Sequence, residues 1–188
     1  MKLHDWIMEL HKSWCPTLRA EYTINAKLAY HYAVLRDLGD RLKVKSLCEF
    51  GIGYGYGALS LTYHSENANI LGIDSMEDHE SGRAMKNAYR ILSRRGHRVT
   101  LLNAFTSQLK CLCGRFDLAY LDASQTKHGL THEMELALPV ADRLLIQVRN
   151  HVMKETAIPQ FCDRHGLQIE HIDDRFHGVA LLERCNNG

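Results

Sequence analysis

Alternate glycines follow the first strongly apolar run of the chain. The segment 47–59 reads LCEFGIGYGYGAL, with Gly51, Gly53 and Gly55 at every second position. Glycine adopts backbone dihedrals that other residues avoid, and it lets a ligand approach the main chain because no Cβ intrudes. We therefore predict a buried strand, a tight turn and a helix whose amino end faces a nucleotide-like ligand. A simple surface turn would instead join two exposed elements.

A carboxylate lies about twenty residues farther on, the separation expected between a glycine-rich turn and a ribose-binding acid. The run NILGID at 69–74 places Asp74 at the carboxyl tip of the next predicted strand. There it can accept hydrogen bonds from both hydroxyls of a ribose. An aspartate after a strand is by itself an ordinary turn residue. Its distance from the glycines favours ribose binding.

From residue 45 onward, short β-rich runs alternate with helical patterns, which predicts a parallel sheet built from right-handed βαβ units. The predicted strands are 46–50, 69–74, 98–102, 116–121, 143–148, 168–172 and 178–183. Residues 173–177 are too few for a helical crossover, so the last two strands should form an antiparallel hairpin. We therefore predict an α/β three-layer Rossmann-like sandwich with a mostly parallel seven-stranded sheet and a C-terminal antiparallel hairpin.

Helical spacing occupies the segments between these strands. One predicted helix places Met85, Ala88, Tyr89 and Leu92 on its packed face and stops at Gly96. Others are expected at 129–138 and at 159–165, the latter ended by Gly166.

Two amino-terminal helices are predicted before the sheet. Their periodic residues are Trp6, Leu10 and Trp14 in the first, and Ile24, Leu28, Leu35 and Leu38, up to Gly39, in the second. These helices either cover the core or form a lid over the carboxyl ends of the strands. We accordingly divide the chain into a helical cap, 1–44, and a ligand-binding domain, 45–188, within one globular unit.

Composition narrows the class of partner. A chain of 188 residues, 45% hydrophobic, can bury one substantial core, and 23 basic against 22 acidic residues leave a net charge of +1. Such a balance disfavours nucleic acid and favours a small molecule. No apolar run reaches the roughly 18 to 20 residues of a membrane helix, and the amino end lacks a signal-peptide pattern, so we expect a soluble cytoplasmic protein.

The six cysteines do not form a disulfide framework. Cys48 and Cys162 fall in apolar segments and are interpreted as reduced core thiols. Cys111 and Cys113 have no second cysteine pair with which to bind zinc.

In their order, these motifs resemble class I S-adenosylmethionine (SAM)-dependent methyltransferases, whose first motif is an acidic residue followed by Gly-x-Gly-x-Gly. The likeness covers about residues 45–184, and the segment 116–123, FDLAYLDA, looks like the family's fourth motif. It implies that the glycine backbone passes the methionine part of SAM, that Asp74 holds the ribose, that the turn 103–105 flanks the adenine and that Asp122 lies beside the methyl group. The implied cofactor-binding residues are Glu49, Gly51, Gly53, Gly55, Asp74, Ser75, Ala104, Phe105 and Asp122.

The chain is most similar to the small-molecule O-methyltransferases of this family, several of which bind a divalent metal through an aspartate after strand four and an Asp-Asn pair after strand five. Arg149 stands where that second carboxylate is expected, before Asn150. His128 and His132 could face a metal together with Asp122, although this spacing also arises on solvated helices. SAM is the expected cofactor, and no metal ligand is assigned.

Methyl transfer needs alignment of the acceptor and, for a hydroxyl or ammonium group, removal of a proton. Asp122 is the first candidate for the catalytic site and His128 the second; His151 and His177 are also expected on this side. The rings of Tyr54 and Tyr56 could touch cofactor or substrate, or pack beneath the first helix. The predicted reaction is methylation of a small-molecule hydroxyl or amine, by a protein that could be a homodimer.

Three other classes of function remain to be weighed. The pattern from Gly53 to Ala58 also satisfies the dinucleotide fingerprint, but Glu49 before the glycines, the absence of a second domain and the terminal hairpin argue against an NAD-binding oxidoreductase. A nucleic-acid methyltransferase is disfavoured because the fourth motif lacks an Asn/Asp-Pro-Pro-aromatic form and no basic stripe is evident. Cyclisation, elimination or SAM sensing without turnover would use the same fold.

Overall fold

The computed structural model describes residues 26–75, 77, 79–124, 126–148, 156–173 and 178–185. The helices are α1 (Ala26–Leu42), α2 (Tyr56–Leu61), α3 (His79–Arg94), α4 (Lys127–Ala137) and α5 (Ile158–His165). The strands are β1 (Ser46–Phe50), β2 (Asn69–Asp74), β3 (Arg98–Asn103), β4 (Leu118–Leu121), β5 (Arg143–Gln147), β6 (Leu167–Asp173) and β7 (Val179–Arg184). The predicted helix around Trp6, Leu10 and Trp14 lies outside the described residues.

All seven strands form one sheet in the order β3-β2-β1-β4-β5-β7-β6. Strands β1 to β5 are parallel, whereas β7 runs antiparallel to both β5 and β6. The predicted sheet and its terminal hairpin are therefore confirmed. The chain proceeds from β1 to β2 and β3 on one side and returns to β4 on the other, so the strand order reverses between β1 and β4. Ligands of open α/β sheets bind beyond the carboxyl ends of the strands at such a switch point.

Helices cover both faces of the sheet and complete the three layers. Helices α1, α2 and α3 pack on one face through a cluster that includes Leu35, Leu59 and Met85. Helices α4 and α5 pack on the other through a cluster that includes Met134 and Phe161. Burial of each large apolar side chain contributes about 1.5–3 kcal/mol, which holds the strand tips in fixed relative positions.

Helix α1 does not stop at Gly39, as the sequence pattern predicts, but continues to Leu42. A Cβ at position 39 would overlap the backbone carbonyl of Leu61, so this glycine permits close packing of α1 against α2. The helix is followed by Lys43 with a φ of 53°, which turns the chain toward β1. Nearer its amino end, α1 contacts the sheet through His31, whose Nε2 lies 3.2 Å from the Tyr120 hydroxyl of β4.

The packed face of α3 differs from the prediction at one residue. Tyr89 is 53% exposed, whereas Met85, Ala88 and Leu92 are buried together with Ala84 and Ile91. At 3.6 residues per turn, Tyr89 points about 100° away from Ala88, beyond the edge of the apolar stripe. Gly96, with a φ of 85°, follows the helix as predicted.

Three boundaries differ from the predicted ones by one or two residues. Helix α4 begins two residues before the predicted start because Thr126 Oγ1 accepts a 3.1 Å hydrogen bond from the Gly129 amide. Phe116 lies outside β4 and makes only an isolated bridge to Ala141. Asn103 is the last residue of β3, not part of the turn that follows it.

Within these described ranges, every helix is too short or too polar to cross a membrane. Cys48 and Cys162 are buried, as predicted, and Cys111 and Cys113 are exposed.

Candidate cofactor and acceptor cleft

A cleft of ≈ 660 Å³ opens beyond the carboxyl ends of the central strands, at the reversal of strand order. Nine of the predicted site residues line it: Glu49, Gly51, Gly53, Asp74, Ser75, Ala104, Phe105, Asp122 and His128. Tyr54 and Tyr56, which the sequence analysis named as possible contacts, line it as well. The sequence analysis did not single out five further polar and aromatic lining residues: Tyr32, Thr106, Tyr120, Ser124 and Glu133. Residues from the carboxyl ends of β1, β2, β3 and β4 therefore converge on one cavity.

The first turn is fastened to the neighbouring strands. The Gly51 amide donates to the Ile73 carbonyl at 2.8 Å, and the Gly53 amide donates to Asp74 Oδ2 at 2.7 Å. Gly51 has a φ of 82°, and a Cβ there would lie 2.9 Å from the Ala123 backbone. At Gly53 no heavy atom comes nearer than 4.0 Å to the position of a Cβ, so this part of the backbone faces open space.

Gly55 does not line the cleft, unlike the other two glycines of the motif. Its φ is 82°, and a Cβ there would lie 2.9 Å from the Cβ of Ala88. This glycine therefore permits α2 to pack closely against α3.

The Asp74 carboxylate lies at the tip of β2 and holds the turn. Besides Gly53, it accepts a 2.8 Å hydrogen bond from the Ser75 amide through Oδ1. Each carboxylate oxygen can accept more than one hydrogen bond, so both oxygens keep capacity for a ligand hydroxyl.

Glu49 is a buried acid without full hydrogen bonding. Its side chain is 2% exposed, and Oε2 has no hydrogen-bond partner. Burial, followed by the nearby charge of Asp122, raises the pKa of Glu49 well above its usual range, although a backbone hydrogen bond from Ala58 opposes this. An unpaired buried carboxylate is costly, and a cationic ligand group beside it would remove the cost.

Asp122 follows β4 directly and is held by groups from two strands. Its amide donates to the Phe50 carbonyl at 3.0 Å. The side-chain amide of Gln147 lies beside its carboxylate; with Nε2 on that side, Gln147 donates to Oδ2 at 2.7 Å and to Oδ1 at 2.5 Å. The same nitrogen lies 2.9 Å from the Tyr120 hydroxyl, which is in turn 3.2 Å from His31 Nε2.

Glu133 is a second buried acid at the cleft, contributed by α4. Its carboxylate accepts from the Thr106 hydroxyl at 2.9 Å and from the Ser124 amide at 3.3 Å, which joins the loops after β3 and β4. Burial raises its pKa. The sequence analysis missed it, although an acid between Leu130 and Met134 on an otherwise apolar helix face is a recognisable signal.

The two histidines of α4 face different surroundings. His128 lines the cleft, but His132 Nε2 lies 3.1 Å from both the Thr106 and Leu109 carbonyls and fastens a loop. A metal site made of both histidines and Asp122 is therefore not formed. Among the residues that the structure describes, no three His, Cys, Asp or Glu side chains are placed to bind a metal. Arg149, Asn150, His151 and His177 lie outside those residues.

Three tyrosine rings line another part of the wall. Tyr32 of α1 meets Tyr56 edge-on with 5.6 Å between ring centroids, and Tyr54 lies nearly parallel to Tyr56 at 6.1 Å. Tyr32 shows that α1 contributes directly to the cleft. Its only sequence signal was its position on a predicted helix before the sheet.

In the part of the chain that the structure describes, the carboxylate side chains that line the cleft are not balanced by basic ones. Glu49, Asp74, Asp122 and Glu133 all line the cleft, and no lysine or arginine is present among its described lining residues. Such a surface attracts cationic groups and repels phosphate.

No protein-family model and no curated protein sequence matches the chain. Its structure is similar to magnesium protoporphyrin IX methyltransferase from Synechocystis PCC 6803 with bound SAM, with a TM-score of 0.63, 16% identity and coverage of 97% of this chain and 96% of that one. An S-adenosylhomocysteine (SAH)-bound methyltransferase from Podospora anserina gives a TM-score of 0.64 at 18% identity, covering 95% and 88%. A putative RNA methyltransferase from Pyrococcus horikoshii gives 0.66 at 14% identity, covering 94% and 98%. The chain therefore has the fold of the class I SAM-dependent methyltransferases.

Proposed function

We propose that this protein is a SAM-dependent methyltransferase that methylates a hydroxyl or amine of a small molecule. The observation that carries the proposal is Glu49, which lines the cleft and whose buried Oε2 has no hydrogen-bond partner. The ammonium group of the methionine part of SAM would supply the missing charge and hydrogen bond. The Gly51 and Gly53 backbone would pass that part of the cofactor.

The remaining lining residues suit the rest of SAM. Asp74, with Ser75 beside it, would bind the ribose hydroxyls, and Ala104 and Phe105 would flank the adenine. SAM carries a sulfonium, an ammonium and one carboxylate, so its net charge is positive and complements the acidic wall. A dinucleotide would bring a pyrophosphate to the same four carboxylates, which disfavours NAD.

Asp122 and His128 remain the candidates for the acceptor side. SAM supplies an activated methyl group, so the protein has to align the acceptor and accept its proton. The Asp122 carboxylate lies at the tip of β4 and can accept that proton, with His128 as the alternative base. The tyrosine rings and the acidic wall favour a neutral or cationic acceptor with an apolar or aromatic surface.

The proposal is tested by calorimetry with SAM, SAH and NAD, each with and without magnesium. We expect micromolar SAM binding and no NAD binding. NAD binding without SAM binding would overturn the assignment. Transfer of a labelled methyl group from SAM to a panel of phenols, catechols and amines then tests the reaction, and SAM binding without transfer to any of them would favour other SAM chemistry or ligand sensing.

A further inference from the structure

Gln147 and Asp122 occupy matching places on adjacent strands. β4 and β5 are parallel neighbours, and Leu121 pairs with Ile146 in their register. The residue that follows Leu121 is Asp122, and the residue that follows Ile146 is Gln147, so these two lie opposite each other. This register brings the Gln147 amide beside the Asp122 carboxylate, and only Asp122 of the two lines the cleft.

The amide can take only one orientation beside an ionised carboxylate. Its terminal atom lies 2.5 and 2.7 Å from the two Asp122 oxygens, and an oxygen there would face two acceptors without a proton between them. Nε2 in that place donates to the carboxylate and to the Tyr120 hydroxyl at 2.9 Å. The same hydroxyl lies 3.2 Å from His31 Nε2.

The two residues behind the amide are firmly packed. Tyr120 is 1% exposed and His31 7% exposed. A Cβ on Gly57 would come within 2.8 Å of the Tyr120 ring, so the first turn of α2 lies directly against it. The chain of hydrogen bonds thus starts in α1, passes beneath α2 and ends at Asp122.

We propose that Gln147 is a positioning residue that orients the Asp122 carboxylate and keeps it ionised, and that Tyr120 and His31 hold its amide in the donating orientation. The role of Asp122 as the acceptor's base rests on the proposed function, whereas the interaction itself does not. Glu49 from β1, Asp74 from β2, and Glu133 and His128 from α4 share this cleft. The three acids disfavour a further negative charge at Asp122, whereas hydrogen bonds from the Gln147 amide favour that charge.

The direct test is a carboxyl-carbon NMR titration of Asp122, assigned with Asp122→Asn, in the parent protein and in Gln147→Leu. Loss of the two hydrogen bonds should raise the titration midpoint by about one pH unit or more. An unchanged midpoint would overturn the proposal. Tyr120→Phe keeps the ring and removes the hydroxyl. It should raise the Asp122 titration midpoint by less than Gln147→Leu does. An unchanged midpoint would show that Tyr120 does not hold the Gln147 amide in its donating orientation. Gln160→Leu, which removes an exposed glutamine bonded to Lys127, is the matched control and should change nothing.

Two further measurements separate this proposal from the proposed function. Gln147→Leu should bind SAM within about threefold of the parent, since Gln147 does not line the cleft, but with the best acceptor found it should lower kcat about 10- to 100-fold and shift the acid limb of the rate profile to higher pH. A kcat equal to that of the parent, with the acid limb of the rate profile unshifted, would contradict a positioning role for Gln147. If SAM does not bind to either protein, the proposed function fails while the titration still decides the role of Gln147. Magnesium should leave the Asp122 titration of the parent unchanged; a shift would show that a metal, not the amide, is its partner.

Discussion

The Gly53 amide donates a 2.7 Å hydrogen bond to Oδ2 of Asp74, so the glycine-rich turn is tied directly to the tip of β2. The acid proposed to bind a ribose therefore also shapes the backbone proposed to pass the cofactor. The two sequence marks, about twenty residues apart, meet in one hydrogen bond.

Replacement of Asp74 should consequently weaken SAM binding severely. Asp74→Ala loses hydrogen bonds from two ribose hydroxyls to a charged group, each worth about 1.5–3 kcal/mol, so we expect affinity to fall about 100-fold or more by calorimetry. Asp74→Asn keeps an acceptor oxygen, so its affinity for SAM should lie between those of the parent and Asp74→Ala. Asp163→Ala, on the exposed surface of α5, serves as the control and should bind normally. Parent-like affinity in Asp74→Ala would show that the ribose lies elsewhere.

Replacement by alanine should mainly lower SAM affinity at Gly53 and mainly lower stability at Gly55. Gly53→Ala meets no neighbour and costs only the left-handed backbone strain of about 1–2 kcal/mol, but its methyl group would project toward the cofactor and lower SAM affinity. Gly55→Ala adds contact with Ala88 to the same strain, at about 1–3 kcal/mol more, away from the cleft. Urea denaturation and calorimetry measure the two effects. Identical losses of stability and affinity in both variants would contradict this division of roles.

The raised pKa of Glu49 predicts a pH-dependent cost of folding. The folded protein holds this proton to a higher pH than the unfolded chain, whose glutamates titrate near about 4.3, so stability falls as pH rises above that value. Glu49→Gln should therefore raise the melting temperature without ligand more at pH 8 than at pH 5, and it should also weaken SAM binding. Glu66→Gln, at an exposed site, is the control. If the gain in melting temperature did not depend on pH, the claim that an unpaired Glu49 charge destabilises the folded protein would be wrong.

His97 should make the protein sensitive to acid. It is 6% exposed, its Nδ1 accepts from the Ala68 amide at 3.2 Å, and Nε2 lies 3.3 Å from the Thr62 hydroxyl. That hydroxyl donates to the Ala58 carbonyl, so Nε2 carries the proton and the ring is neutral.

Burial, followed by the charge of Arg95, lowers the pKa of His97. The unfolded chain then takes up a proton first, near about pH 6.5, and the stability contributed by this histidine is complete above that pH and declines below it. His97→Gln should flatten the dependence of unfolding free energy on pH between 5 and 7, measured in urea. His171→Gln, at an exposed position of β6, should leave that slope as in the parent; a similar slope in both variants would refute the role of His97.

Two glycines have packing roles that the local sequence did not indicate. Gly39 suggests a helix stop, yet its lack of a side chain is used to pack α1 against Leu61. Gly55 belongs to the motif by spacing, yet it packs against Ala88. In both cases a glycine is needed because another backbone or side chain comes close, and local sequence contains no information about that neighbour.

The sequence by itself determined the alternation of strands and helices, the terminal hairpin, and the meeting of Glu49, the glycine-rich turn, Asp74 and Asp122 at one edge of the sheet. It could do so because strand period, turn chemistry and the parallel order of βαβ units are local or topological properties. Only the tertiary structure decided that Tyr32 and Glu133 enter the cleft, that His132 turns away from it, and that Gln147 faces Asp122. Those relationships depend on the register between strands and on which side chains the packed helices bury, and both are set by contacts between residues far apart in the chain.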